Sequence, residues 1–267
     1  MRIGIDPLKG AIIGDIAGSI YEWNSIKKKE FGPLFKVNSH FTDDTVMTIA
    51  VAKWLRTDGM RSPERLVDIM KEIGRKYDVG YGPRFKAWLH SDTDRSPYNS
   101  FGNGSAMRVS PVACVANNIS EVIQLAKITA MVTHNHPEGL KGANATACAI
   151  WQMHDTGWIE NRKQDQMYGY DMSRSVSQIR SSYKFEVSCQ KSVPEAITCA
   201  LEAKDFEDAI RNAISLGGDA DTQACIAGSI AASMFGVPDD IWQEAYEKLD
   251  SELQKEVKLF GDYLITL

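Results

Sequence analysis

Along most of the chain, apolar residues return every three or four positions with polar residues between them. Val46, Ile49, Ala50 and Trp54 form one such set, Val122, Leu125, Ala126 and Thr129 a second, and Phe206, Ala209, Ile210 and Ala213 a third. That period places each set on one face of an α-helix, and alternating strand patterns are scarce. An all-α protein is predicted. The best strand candidate, "YKFEVSC" at 183–189, is one short segment that reads equally as an irregular loop. Turn-forming stretches separate the helices at "FGPLF", "DVGYGPRF", "RSPYNSFGNGS", "NHPEG", "HDTGW" and "FGVPDD". The polar tract from Glu160 to Ser182 reads as an exposed helix with a loop, or as an insertion. No internal repeat, low-complexity run or long linker interrupts the pattern, so one domain over residues 1–267 is expected ahead of two small ones.

Composition narrows the function classes. Apolar residues make up 43% and charged residues 24%, ordinary values for a soluble globular chain. The longest apolar stretches, "GAIIGDIAGSI" and "CIAGSIAASMFGV", are short or interrupted by Asp15, and no basic segment followed by an apolar block opens the chain. A cytoplasmic protein without membrane contact is expected. Net charge is −5 and the only cationic cluster is Lys27 to Lys29, so no nucleic-acid surface is expected either. Five cysteines, at 114, 148, 189, 199 and 225, make no C-x-x-C pair and sit in mostly apolar surroundings, which suits reduced, buried thiols.

The chemistry concentrates at helix starts. In "HFTDDTVMTIAVAKWL" at 40–55, Thr42 is a good N-cap, and Asp43 and Asp44 fall in the first turn. Free backbone N–H groups and the helix dipole favour an acid there by about 0.3 to 1 kcal/mol, which accounts comfortably for one of the two. "GGDADTQACIAGSIAASMF" repeats the arrangement with Asp219, Asp221 and Thr222 behind Gly217 and Gly218, which permit a tight turn. Four carboxylates and two hydroxyls suit hard cations such as magnesium or manganese, and two ions would use the whole set. An EF-hand is excluded, because the sixth and twelfth positions are Ala224 and Ile230.

Three further stretches bear on a site. Gly10, Gly14 and Gly18 stand four apart, so one helix stripe carries no side chains and another backbone can approach closely. Asp15, Ser19 and Glu22 are expected on one side of that helix, with Asp15 as a capping or core-bonded carboxylate and Glu22 as either a site acid or a solvated residue. "NSFGNGSAMRVSPVA" at 99–113 runs into a helix and fits a phosphate cradle, although ordinary turns share its composition. In "THNHPEG", His134 and His136 lack the companion ligands of a zinc site and read as a polar turn, with a ligand contact left open.

Taken in order, "GAIIGDIAGSIYEW", "FTDDTVMTIAVA", "NSFGNGSAMRVSPVA", "THNHPEGLKGA" and "SVPEAITCALEAKDFEDAIRNAISLGGDADTQACIAGSIAASMFG" resemble the ADP-ribosylglycohydrolase family, which includes the dinitrogenase-reductase-activating glycohydrolase and the ADP-ribosyl-acceptor hydrolases. The resemblance implies a single orthogonal bundle of helices with a centre of two magnesium or manganese ions in a cleft. It implies Thr42, Asp43, Asp44, Asp219, Asp221 and Thr222 as metal ligands, with Glu22, Asp44 and Asp221 at the reaction itself. It also implies that Gly102, Asn103, Gly104, Ser105 and Met107 wrap the diphosphate and distal ribose, with His134 nearby. The expected activity is metal-dependent hydrolysis of the bond between ADP-ribose and a modified acceptor on a protein or small molecule, with arginine ranked first. The alternatives are serine-linked or ester-linked ADP-ribose, a non-catalytic ADP-ribose-binding protein, and a different metal-dependent hydrolase acting on a nucleotide or free ADP-ribose. A monomer is expected. Ala220 stands where the family commonly has threonine, a mild departure.

Overall fold

A computed structural model describes residues 3–154 and 166–267. Helices dominate it. Helix α1 (Asp6–Gly18) lies against α12 (Ala220–Phe235), the most extensive helix pair among the described residues. The sequence dictates how close they come. A Cβ at Gly10 would stand 2.3 Å from the Gly228 carbonyl oxygen, one at Gly14 2.0 Å from that of Ala224, and one at Gly18 2.5 Å from that of Ala220. The glycine stripe therefore meets a facing row of small residues, and backbone touches backbone as its spacing predicts.

Helix α12 is the hub. Residues 220–232 are buried without exception, the mark of a helix surrounded on all sides. Besides α1, it contacts α11 (Phe206–Ile214), α10 (Cys189–Leu201) and α8 (Pro137–Met153). Helix α2 (Asp43–Thr57) packs on α3 (Pro63–Gly74) and on the last helix, α14 (Ser251–Thr266). The three apolar sets that mark helices in the sequence lie on α2, α7 (Ile119–Met131) and α11, and all twelve residues are buried. All five cysteines are free and buried. Among the described residues no helix is long and apolar enough to cross a membrane.

One local reading is settled and another changes. "YKFEVSC" is a loop that makes one isolated bridge, between Ser188 and Gly102, before α10 begins at Cys189. In the polar tract, residues 160–165 lie outside those described. The remainder forms a two-residue hairpin, β1 (Gln166–Met167) with β2 (Tyr170–Asp171), and helix α9 (Val176–Ser182). That remainder is not simply exposed, because Tyr170, Met172, Val176 and Ile179 are buried against the core.

Candidate active site

Two helix starts and the end of a third bring the acids together. Thr42 caps α2, its hydroxyl accepting from the Asp44 amide at 3.3 Å, so Asp43 and Asp44 sit in the first turn as predicted. Asp15, near the end of α1, holds this turn in place. Its carboxylate accepts from the Thr42 amide at 2.9 Å, the Thr42 hydroxyl at 2.7 Å, the Thr45 amide at 3.0 Å and the Thr45 hydroxyl. It is thus core-bonded. At the other start, Gly217 adopts a φ of +66° that admits the turn into α12. Asp219 occupies the N-cap position without capping; its Oδ2 instead accepts from Asn103 Nδ2 at 2.7 Å. The Thr222 hydroxyl donates to Asp44 Oδ2 at 3.2 Å, linking the two starts directly.

Carboxylate oxygens consequently gather in two groups, Asp15 with Asp44 and Asp221, and Glu22 with Asp219 and Asp221, each within 4.8 Å and sharing Asp221. Glu22 reaches the second group from a turn, because α1 stops at Gly18 and neither Ser19 nor Glu22 remains on the helix as expected. Among the described residues no lysine or arginine forms an ion pair with any of these acids. Burial first, then the neighbouring carboxylates, raise Asp43, Asp44 and Asp221 well above the usual aspartate range. Burial also raises Asp219. Glu22 is pushed up to about 7, chiefly by burial and then by the charge of Asp219. Asp44 Oδ1 is buried without any hydrogen-bond partner. Uncompensated buried carboxylates are costly, and this all-oxygen set fits a hard divalent cation.

Glu22, Asp44, Asp219 and Asp221 line a cavity of about 510 Å³, within the usual range for a ligand site, with Asp15 outside its wall. Asp43, half-buried, joins them in the wall although it belongs to neither carboxylate group. Gly102, Asn103, Gly104, Met107 and His134 line the same cavity. Two expected residues do not reach the cavity. Thr42 is buried behind the carboxylates, and Ser105 is fully buried with its hydroxyl donating to the Gly139 carbonyl at 2.7 Å. The "GNGSAM" segment folds as a single turn, α5 (Gly104–Met107), held by the Asn103 amide donating to the Val187 carbonyl at 2.8 Å.

Several wall residues carry no sequence signal of their own. Arg84 and Phe85 on α4 (Pro83–His90), with Tyr81 and Tyr98, come from stretches that read only as turns. Trp23 and Phe185 stack at 5.2 Å beside Glu22. Arg108 follows the glycine-rich segment but turns inward, buried. The unusual aromatic density of "DVGYGPRF" and "RSPYNSFGNGS" is the one hint the residues offer.

A family model described as ADP-ribosylglycohydrolase matches residues 7–265. The chain belongs to the ADP-ribosylglycohydrolase family. It is an ADP-ribosyl-acceptor glycohydrolase by that membership, with full-length relatives whose names carry the activity. "ADP-ribosylhydrolase ARH3" of Homo sapiens is 26% identical over 95% of this chain and 92% of its own. "ADP-ribosyl-[dinitrogen reductase] glycohydrolase" of Rhodospirillum rubrum is 26% identical over 97% and 94%. "ADP-ribosylarginine hydrolase Tri1" of Pseudomonas putida is 25% identical over 93% and 78%. A solved structure, "ADP-ribosylglycohydrolase-related protein complex", superposes with a TM-score of 0.67 at 19% identity over 98% of both chains, a likeness of fold.

Proposed function

We propose that this ADP-ribosylglycohydrolase cleaves the glycosidic bond between ADP-ribose and a modified protein side chain, with two magnesium or manganese ions and with ADP-ribosyl-arginine as first-ranked substrate. The observation that carries this reading is the pair of carboxylate groups sharing Asp221 in the wall of a cavity that the glycine-rich turn and His134 also line. Asp43, Asp44, Asp219 and Asp221 would hold the ions, with Thr222 supplying a neutral oxygen and Thr42, its hydroxyl on Asp15, supporting them from behind. Bound there, divalent cations supply charge neutralisation and Lewis acidity near the ribose hydroxyls.

The chain's own groups divide the remaining work. Glu22, with its carboxyl near 7, holds or releases a proton at neutral pH and is the group that moves a proton at the scissile bond. Trp23 and Phe185, stacked and solvent-exposed, line the wall beside it. Asn103 orients Asp219, and Thr222 orients Asp44. Gly102, Asn103, Gly104 and Met107 would face the diphosphate and distal ribose, with His134 behind them; Ser105 would support that turn through Gly139. Cleavage through an oxocarbenium-like state needs this positioning more than it needs a strong nucleophile. The same reading takes residues 1–267 as one cytoplasmic, monomeric domain, which the single connected core and the five free thiols support.

Release of free ADP-ribose from an arginine-ADP-ribosylated protein, with magnesium and then with chelator, tests the reading. Metal-dependent release is expected. Release only from serine-linked or ester-linked substrates would replace arginine, and failure on all three would leave an ADP-ribose-binding protein.

A further inference from the structure

Thr133 stands between a guanidinium and an imidazole. Arg108 Nη2 donates to the Thr133 hydroxyl oxygen at 2.7 Å and to the Thr129 carbonyl at 2.7 Å. On the other side, His134 Nδ1 lies 2.7 Å from the same hydroxyl. Thr133 is fully buried, and among the described residues its hydroxyl has no third partner. A guanidinium has donors only, so its contact occupies an oxygen lone pair and leaves the one hydroxyl hydrogen to be placed. If Nδ1 carries a hydrogen, Thr133 accepts twice and its own hydrogen is stranded in a dry site. If Nδ1 is bare, Thr133 donates to it and every group is satisfied. A stranded buried donor is the costlier state, which decides between the two.

We infer that Arg108 and Thr133 together fix His134 as the neutral Nε2–H tautomer, so that it offers a hydrogen-bond donor to a ligand oxygen in the cavity. A second, independent feature points the same way. His134 is only 5% exposed and lines the cavity, and its Nε2 has no partner among the described residues. That nitrogen faces the glycine-rich turn: a Cβ at Gly104 would lie 3.2 Å from it, and one at Gly102 3.6 Å. Glycine at both positions leaves the nitrogen open. Burial, and then the charges of Arg108 and Arg84, hold the imidazole well below its ordinary range, so the donor carries no charge. The ligand atom it selects is an acceptor, a phosphoryl, ether or carbonyl oxygen. On the proposed function, which this last step rests on, that atom is an oxygen of ADP-ribose. Thr133 and Arg108 are then positioning residues, and Thr133 owes its role to its hydroxyl.

The test is nitrogen-15 NMR of the full-length protein labelled at histidine, with the His134 signals assigned by their loss in His134→Gln. Long-range proton–nitrogen correlations distinguish the two tautomers and the cation. The Nε2–H pattern is expected at neutral pH, and an Nδ1–H or imidazolium pattern overturns the inference without need of any variant. Thr133→Val should let the Nδ1–H form appear and weaken ADP-ribose binding about 10-fold, the loss of one hydrogen bond's alignment, whereas Thr133→Ser should keep both. A Thr133→Val protein that is folded and retains a pure Nε2–H signal also overturns it. Absence of ADP-ribose binding by the unmodified protein would sink the proposed function and leave the tautomer measurement standing.

Discussion

The cavity wall has an acidic part and a cationic part, and among the described residues no ion pair joins them. In the acidic part Asp44, Asp221 and their neighbours crowd together without a basic partner among the described residues. In the cationic part Arg108 is buried with Nε unpartnered, Arg84 stands over the Tyr98 ring at 5.2 Å, and burial holds the His134 imidazole well below its ordinary range. Asn103 joins them, its backbone in the glycine-rich turn and its amide on Asp219. A fold seeking stability alone would pair these charges with each other. Keeping them apart leaves one part requiring cations and the other requiring an anion or acceptor, and a phosphate-bearing ribose spanning both would meet the two demands.

The sharpest way to break this contrast is in the acidic part. Asp221 belongs to both carboxylate groups, so Asp221→Ala should have the largest effect, a loss of ADP-ribose release beyond the roughly 10²-fold typical of removing a group behind a metal ligand. Asp44→Ala should follow closely. Circular dichroism should show the helices intact, and the metal-free melting temperature should rise, because one mutually repelling charge is gone. Unchanged turnover in either variant would remove the metal-centre argument. Glu22→Gln should lower turnover by about 10²- to 10⁴-fold while ADP-ribose affinity changes little. Equal loss of rate and affinity would demote Glu22 to a structural role.

Proton linkage gives a smaller effect with a definite sign. The acids in this part have folded pKa values above their unfolded ones, so the folded state binds more protons and stability falls as pH rises. For the aspartates the fall begins near the ordinary value of 3.8, and for Glu22 it runs from 4.5 to about 7. Melting curves with chelator should therefore drop with rising pH, and magnesium should flatten them. A flat profile with chelator would mean that the acidic part is compensated after all.

The same contrast explains what the sequence makes legible. The acids sit at two helix starts, "TDDT" and "DADT", and a helix start is a local pattern that also fixes direction, so Asp44 and Asp221 can be read from their neighbours in the chain alone. The Gly10, Gly14 and Gly18 stripe likewise announces the close approach of α1 and α12. The cationic part has no such grammar. Arg108 finds its partners 21 and 25 residues away, and Arg84 arrives from a stretch that only signals a turn. For Glu22 the spacing indicates the right company but the wrong element: the Ser19 hydroxyl donates to the Ile16 carbonyl and the Tyr21 amide to that of Gly18, a turn that ends the helix before Glu22. The buried residues of the 160–182 tract are hidden because polar neighbours outnumber them.

The mildest perturbation tests whether the cationic part acts as one unit. Arg84 is exposed, rests on the Tyr98 ring and donates to the Tyr98 carbonyl, whereas Arg108 is buried. An exposed charge is screened, so Arg84→Ala should weaken ADP-ribose binding by only about 3- to 10-fold, and less as salt is raised. Arg84→Lys should recover part of that loss, since it restores the charge without the planar group that stacks on tyrosine. Titration of ADP-ribose calorimetrically at low and high salt separates the cases. A salt-insensitive loss of 100-fold or more would mean that Arg84 closes over the ligand as a buried group, so that the two arginines differ in sequence position and not in kind. A loss of the expected size would leave the buried chain through Arg108, Thr133 and His134 as what sets ligand geometry in this part, with Arg84 contributing attraction from its rim.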